Sequence, residues 1–252
     1  ILMFKKLLII AGLLTFASLA IAAETLRVGM SADYPPLHFK QDGRYMGIEA
    51  DNAKAVGEIL SRRVEIVQIP LDDLVPPLRA GKFDVLMSGL SVTAERGQQV
   101  QFADSYLRVG HMAIKNTTTL CRYSQPGAVS REGVRVGGKS GAPGAAFAER
   151  ELKDAVVRQY DNSEQAFSAL RGDEIDLYVH DAPTSWELAN GMENDDLISL
   201  YAPLTEEMLA WAVRKDDDAL AADLNRALRL MQGNGTLQYI LNRWIPVTVE
   251  VK

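Results

Sequence analysis

One eight-residue pattern occurs twice in this chain. Leu78-Arg79-Ala80-Gly81-Lys82-Phe83-Asp84-Val85 and Leu170-Arg171-Gly172-Asp173-Glu174-Ile175-Asp176-Leu177 both read as a helix end, Leu-Arg, a glycine stop, then apolar-Asp-apolar opening a strand. The glycine sits one residue apart in the two copies, and chance can produce a match this short. If it is a repeat, the chain must build two similar lobes rather than one continuous sheet. Around both copies, apolar β-branched runs alternate with helical spacing, the pattern of an α/β fold. In the first half, strands are expected at 26–30, 64–69, 83–87 and 106–114, and helices at 48–60 and 72–78. Residues 34–39 read as a loop, 41–44 as a turn, and the polar stretch 115–130 as a connection. The second half reads as strands at 134–137, 156–160 and 175–179 with helices at 144–152, 163–170 and 182–190. A tail adds a strand at 208–213 and helices at 216–231 and 236–244.

Residues 1–22 are expected to be a cleaved signal peptide. Lys5 and Lys6 precede an uncharged apolar run at 7–19, and Ala20-Ile21-Ala22 supplies the small residues of a cleavage site. That run is shorter than the ~20 residues of a membrane span. Translation is expected to start at Met3, and no Cys follows the cleavage site, so no lipid anchor is expected. The mature chain, 252 − 22 = 230 residues, is long enough for two lobes of roughly 100 residues each. Its net charge goes from −6 to −8 without Lys5 and Lys6, and no basic block remains to bind nucleic acid or an anionic membrane. Cys121 is the single cysteine, which excludes an intrachain disulfide, and no basic group is placed to activate it. His38, His111 and His180 are scattered, without metal spacing, and no G-x-S-x-G or P-loop occurs. No metal or cofactor is expected. His38, His111, Trp186, Trp211 and Trp244 read as structural residues.

The first copy of the repeat runs into Met87-Ser88-Gly89-Leu90-Ser91, with Arg96 one turn later at the start of a short helix. Backbone N–H groups beside Gly89, the Ser91 hydroxyl and the Arg96 guanidinium are three kinds of donor suited to a carboxylate. An N-capped surface helix with a solvated arginine is the plain alternative. Across the mature chain, the stretch 87–106 resembles the ligand loop of the family 3 extracellular solute-binding proteins, periplasmic receptors of polar amino acid ABC importers. In that family the Gly, Ser/Thr and Arg of a G-x-[ST]-x-T-x-E-R pattern clamp the ligand α-carboxylate, here Gly89, Ser91 and Arg96. The resemblance implies a type II periplasmic-binding-protein fold, α/β, with two lobes, each a mixed sheet flanked by helices, and two crossover segments as hinge. Lobe 1 is then 23–112 and 206–252, and lobe 2 is 113–205.

In the second half, Lys139-Ser140-Gly141 follows a strand and His180-Asp181-Ala182-Pro183 joins a strand to a helix. With Pro183 just inside the helix, Asp181 is a good N-cap. The family also has an Asp here, which binds the ligand α-ammonium, and the two roles are compatible. The Lys-Ser-Gly and His-Asp-x-Pro motifs resemble the glutamine-binding members most. Against those members, Ser31 stands where an Asp touches the ligand side chain, Leu71 where an aromatic ring stacks, and Pro143 near a Gly, leaving Tyr34 as the ring. The implied site is therefore Tyr34, Gly89, Ser91, Arg96, Lys139, Ser140, His180 and Asp181. Lys139 near the side-chain pocket would repel a cation, so a neutral polar or acidic amino acid is expected.

The expected function is that of a monomeric, non-catalytic periplasmic receptor that closes on an amino acid and delivers it to the permease subunits of an ABC importer. One rival is a ligand-presenting receptor for a sensor. The other is cyclohexadienyl (prephenate/arogenate) dehydratase, which shares the fold and needs an acid, for which Glu149 and Glu187 are candidates.

Overall fold

The computed structural model describes residues 24–245 apart from 71–73, 124–125, 191 and 201–202. The expected signal peptide, Leu71 and the side chain of Cys121 lie outside the described residues. The chain forms β1 (Thr25–Met30), then a small sheet of β2 (Asp33–Tyr34), β3 (His38–Gln41) and β4 (Arg44–Met46). Helix α1 (Ile48–Leu60), β5 (Arg63–Gln68), α2 (Val75–Arg79), β6 (Val85–Leu86), α3 (Ala94–Gln99) and β7 (Val100–Val109) follow. Next come β8 (His111–Asn116), β9 (Arg135–Lys139), α4 (Pro143–Glu151), β10 (Val156–Tyr160), α5 (Ser163–Arg171), β11 (Leu177–Asp181), α6 (Ala182–Asn190) and β12 (Leu197–Ser199). The chain returns through β13 (Glu207–Arg214), α7 (Asp218–Gly233) and α8 (Thr236–Trp244). No helix among the described residues is long and apolar enough to cross a membrane.

The two large sheets replay one plan. One has the order β5-β1-β6-β13-β7 and the other β10-β9-β11-β8-β12. In each, three parallel strands come first and are extended by antiparallel ones. The repeated octet is the pivot of each. Asp84 takes the Arg27 backbone N–H at 2.9 Å and grips the Arg27 guanidinium at 2.6 and 3.2 Å. Asp176 takes the Arg135 N–H at 2.9 Å and the Arg135 guanidinium at 2.8 and 3.0 Å. The apolar residue before each Asp also matches: Phe83 covers Gly29 and Ile175 covers Gly137, each so closely that a Cβ on the glycine would lie within 2.5 Å of it. The strand pair β1/β6 and the pair β9/β11 are thus locked by the same fork and the same packing step.

Apolar faces sort the helices. Leu26, Val28 and Met30 of β1 pack with α1, α7 and α8 in one cluster, which Trp211 and Tyr106 complete by stacking at 5.4 Å. Phe83, Leu86 and Ala212 point to the other face with Leu78 of α2. In the second sheet, Phe147 and Ala148 of α4 cover one face and Phe167 and Leu170 of α5 the other. Helix α7 shows the local logic: Asp217 caps it by accepting the Leu220 N–H at 3.2 Å, and Leu220, Leu224, Leu228 and Met231 recur on its buried face.

Three expectations are corrected. The strand read at 106–114 is two strands in different sheets, broken at Gly110. A Cβ there would lie 1.9 Å from the Thr205 carbonyl oxygen, so only glycine lets the two crossing segments touch. The polar stretch 115–130 is not a bare connection, because Lys115 belongs to β8 and Tyr123, Ala128 and Val129 are core residues of the second sheet. The loop at 34–39 carries β2 and the start of β3.

The forks are testable by pH. Burial pushes the Asp84 and Asp176 carboxyls up, but their arginines outweigh it and hold both below the usual carboxylate range. Their stabilisation is therefore complete above about pH 4 and is lost as pH falls through the lower folded values. Asp176→Ala should destabilise by ~2–4 kcal/mol at pH 7 in urea unfolding, and by less at pH 3. Asp84→Ala should cost less, since its fork is more exposed (side chains 21% and 40%, against 6% and 31%).

Candidate functional site

The loop after β6 is set from behind. Ser31 is fully buried, giving its N–H to Ser88 Oγ at 3.1 Å, with its own Oγ 3.0 Å from His38 Nδ1; Ser88 Oγ lies 3.3 Å from His38 Nε2. Ser31 therefore supports the loop and does not line a pocket. Burial drives the His38 imidazole down to about 4, against the opposing hydrogen bonds of Ser88 and Ser31, which makes it a neutral structural residue. The Gly89 N–H, suited on sequence grounds to a carboxylate ligand, instead donates to Glu49 Oε1 at 2.8 Å. Ser91 forms an isolated bridge to Leu209, and its Oγ donates to Glu207 Oε2 at 3.0 Å. Thr93 caps α3 by accepting the Arg96 N–H at 3.2 Å, and the half-buried Arg96 side chain folds back to donate to the Ser91 carbonyl at 2.9 Å.

The second sheet meets Tyr34 of β2 at the carboxyl end of β11. Asp181 Oδ1 accepts the Thr184 N–H at 2.9 Å, capping α6, and also the Tyr34 hydroxyl at 2.9 Å from the other sheet's side. Its Oδ2 lies 2.5 Å from His180 Nδ1. Burial alone would push this carboxyl up; the His180 hydrogen bond and charge, then Thr184, bring it down to about 2. Burial first and Asp181 second push the Tyr34 phenol up, so it stays a donor. Lys139 and Ser140, at the carboxyl end of β9, are exposed, and the Ser140 N–H donates to the Tyr160 carbonyl at 2.8 Å. Lys139 has no ion pair among the described residues.

Three further residues occupy the ground between the half-sites. His111 faces Asp181 in the β8/β11 pairing, stacks on Phe147 at 5.1 Å, and is bonded to Thr205, with Nδ1–Oγ1 at 3.0 Å. Glu207 Oε1 lies 3.9 Å from His111 Nδ1. A continuous chain of contacts, Tyr34–Asp181 and Ser91–Glu207–His111, thus joins both sheets. Glu207 and Thr205 were not legible in the sequence, because they matter only where the return crossing passes Gly110. Of the two acids considered for proton transfer, Glu149 accepts from Gln159 at 2.6 Å on the surface. Glu187 is exposed on α6, with burial and the Asp181 charge pushing its carboxyl up. No cluster of three or more His, Cys, Asp or Glu side chains among the described residues could hold a metal ion.

Comparison with known proteins identifies the family and the fold. The family model of the bacterial extracellular solute-binding proteins, family 3, matches residues 26–247. The chain is 29% identical over 248 residues to ABC transporter arginine-binding protein 1 of Escherichia coli (strain K12), covering 96% of this chain and 99% of that protein. Among solved structures, an ancestral cationic amino acid solute-binding protein superposes with a TM-score of 0.76 at 32% identity, over 88% of this chain and 95% of the other. An ancestral cyclohexadienyl dehydratase superposes with a TM-score of 0.66 at 27% identity, over 88% and 93%. The preference for neutral or acidic ligands expected from Lys139 finds no support among these relatives, two of which are named for cationic amino acids.

The buried histidine gives a direct check. Its folded pKa near 4 lies below the unfolded value near 6.5, so stability is full above about pH 6.5 and falls by about 3 kcal/mol as pH drops toward 4. Proton NMR should show the His38 ring untitrated at pH 5.

Proposed function

The chain belongs to the bacterial extracellular solute-binding proteins of family 3, and on that premise we propose that it is a periplasmic receptor that closes on an amino acid and delivers it to an ABC importer. The 2.9 Å contact between Tyr34 and Asp181 carries the reading, because it joins the two lobes at the carboxyl ends of their parallel strands. Ligands of open α/β sheets bind at such ends, and two that face each other make a cleft. In this reading Arg96 and Ser91 hold the ligand carboxylate from one lobe, and Asp181 holds the ammonium from the other while still capping α6. Tyr34 supplies the aromatic wall, and Lys139, Ser140 and His180 complete the second lobe's rim. The lobes are 23–112 with 206–252, and 113–205. A ligand that touches both favours the closed state by its differential affinity.

The ligand is proposed to be a cationic amino acid, arginine foremost. Asp181 and Glu207 put two carboxylates along the cleft, whereas Lys139 is exposed and free to turn outward. The arginine-binding relative supports the same choice. The dehydratase reading is weaker: Glu149 is engaged by Gln159, and Glu187 is exposed, so neither is sheltered as a general acid needs.

A thermal-shift screen of the common amino acids tests the reading; ligand at 100 Kd adds about 2.7 kcal/mol to stability. In calorimetric titration with arginine, Arg96→Met should weaken binding at least a hundredfold, about 3 kcal/mol or more, because it leaves a dehydrated carboxylate unpaired. Asp181→Asn keeps the helix cap and loses the counter-charge, so affinity should fall more than stability does. Wild-type affinity in both variants would exclude the clamp.

A further inference from the structure

Glu49, in the first turn of α1, is fully buried, and among the described residues no cation pairs with it. Its Oε1 accepts two hydrogen bonds, from the Gly89 N–H at 2.8 Å and the Tyr106 hydroxyl at 2.8 Å. Its Oε2 accepts the Trp211 Nε1–H at 3.0 Å. Burying a carboxylate away from water costs several kcal/mol, and a fold that needed only bulk here would be served by an apolar side chain. The three donors explain the acid. A glutamine could accept from Gly89 and Tyr106 through its oxygen, but its amide N–H would then meet the Trp211 N–H, donor against donor. Burial pushes the Glu49 carboxyl up against the pull of these hydrogen bonds, and its two oxygens accept all three.

The donors come from three places that matter together. Gly89 belongs to the loop after β6. Tyr106 and Trp211 stack on each other in β7 and β13, the strands that run into the two crossings at Gly110 and Thr205. Gly89 adopts φ +61°, which favours glycine, a Cβ there would lie 2.7 Å from Leu37, and Glu49 accepts its N–H in that conformation. Two residues on, the Ser91 carbonyl receives the Arg96 guanidinium and the Ser91 hydroxyl reaches Glu207. Displacing Gly89 displaces the seat of Arg96.

We propose that Glu49 is the positioning residue of the ligand loop: without touching the ligand, its carboxylate fixes Gly89 and thereby the placement of Ser91 and Arg96 relative to the hinge strands. This rests on the amino-acid-binding reading. The test is calorimetric titration with arginine, together with the NMR shift of the Gly89 amide proton, which a carboxylate acceptor moves downfield. Wild-type protein that binds neither arginine nor any other amino acid fails the binding reading itself, and the Gly89 shift still reports the contact. With wild-type binding established, Glu49→Met, which removes every acceptor, should shift the Gly89 and Trp211 N–H signals upfield and weaken arginine binding by about tenfold to a hundredfold, the worth of one hydrogen bond to a charged group. Trp211→Phe removes one donor and leaves the Gly89 bond, so it should lower Tm while keeping affinity within about threefold. A merely structural role predicts instead that affinity follows Tm in both variants, and that result overturns the proposal. So does wild-type affinity in Glu49→Met. Should that variant fail to fold, Glu49→Asp, whose shorter arm draws the carboxylate back from Gly89, takes its place with the same expectation. If neither folds, Glu49 is a requirement of folding, and the positioning role is overturned.

Discussion

Two backbone segments cross between the sheets in close contact, and the contacts of His111, Thr205, Glu207 and Asp181 gather around that crossing. Gly110 lies against the Thr205 carbonyl, and the Gly110 carbonyl accepts the Ala182 N–H at 2.7 Å, just beyond Asp181. The Leu204 N–H donates to the His111 carbonyl at 2.7 Å, and Thr205 Oγ1 accepts the His111 N–H at 2.8 Å. Backbone groups that a crossing would leave unpaired are thereby paired with each other. Tyr34, shortly after β1, thereby comes within hydrogen-bond reach of Asp181 at the carboxyl end of β11.

Charge is used in two different ways on either side of that crossing. The Arg27–Asp84 and Arg135–Asp176 forks lie partly in solvent at the far ends of the strands, each matched to a full counter-charge. Among the described residues, the carboxylates near the proposed site have no arginine fork. Glu49 is held by three neutral donors, Asp181 by His180, Tyr34 and a helix N–H, and Glu207 by the Ser91 hydroxyl. A hydroxyl partner can be exchanged for a ligand ammonium at small cost, whereas a bidentate arginine cannot. The fold thus keeps its bidentate arginine–carboxylate pairs away from the proposed site.

The proposal of a cationic ligand draws on the same contrast. Lys139, taken alone, argues against a cationic ligand, but a lysine on an exposed strand end is a mobile and well-hydrated charge. Asp181 and Glu207 sit inward of it, where the local dielectric is lower and each charge weighs more. Which charges dominate a cleft depends on depth, and depth is not written in spacing.

Much of the fold was open to reading from local pattern. The limits of α1, α6 and α8 match the apolar periodicity and stop signals, and the octet repeat marks the Arg–Asp fork in both sheets. The loop bearing Gly89, Ser91 and Arg96 was legible because the donors lie within eight residues of one another. What the sequence could not carry were contacts between residues far apart in it: Glu49 with Gly89 and Trp211, Ser91 with Glu207, Tyr34 with Asp181. Each is a polar residue in an ordinary helical or strand position, with no local mark of its partner. Sequence determined the elements and the local loop that carries Gly89, Ser91 and Arg96, since those depend on periodicity and on neighbours along the chain. Only tertiary structure decided that the Gly89 N–H is already engaged and that Ser31 is buried, and it alone turned the strand read at 106–114 into two, because these depend on which distant backbone passes close by.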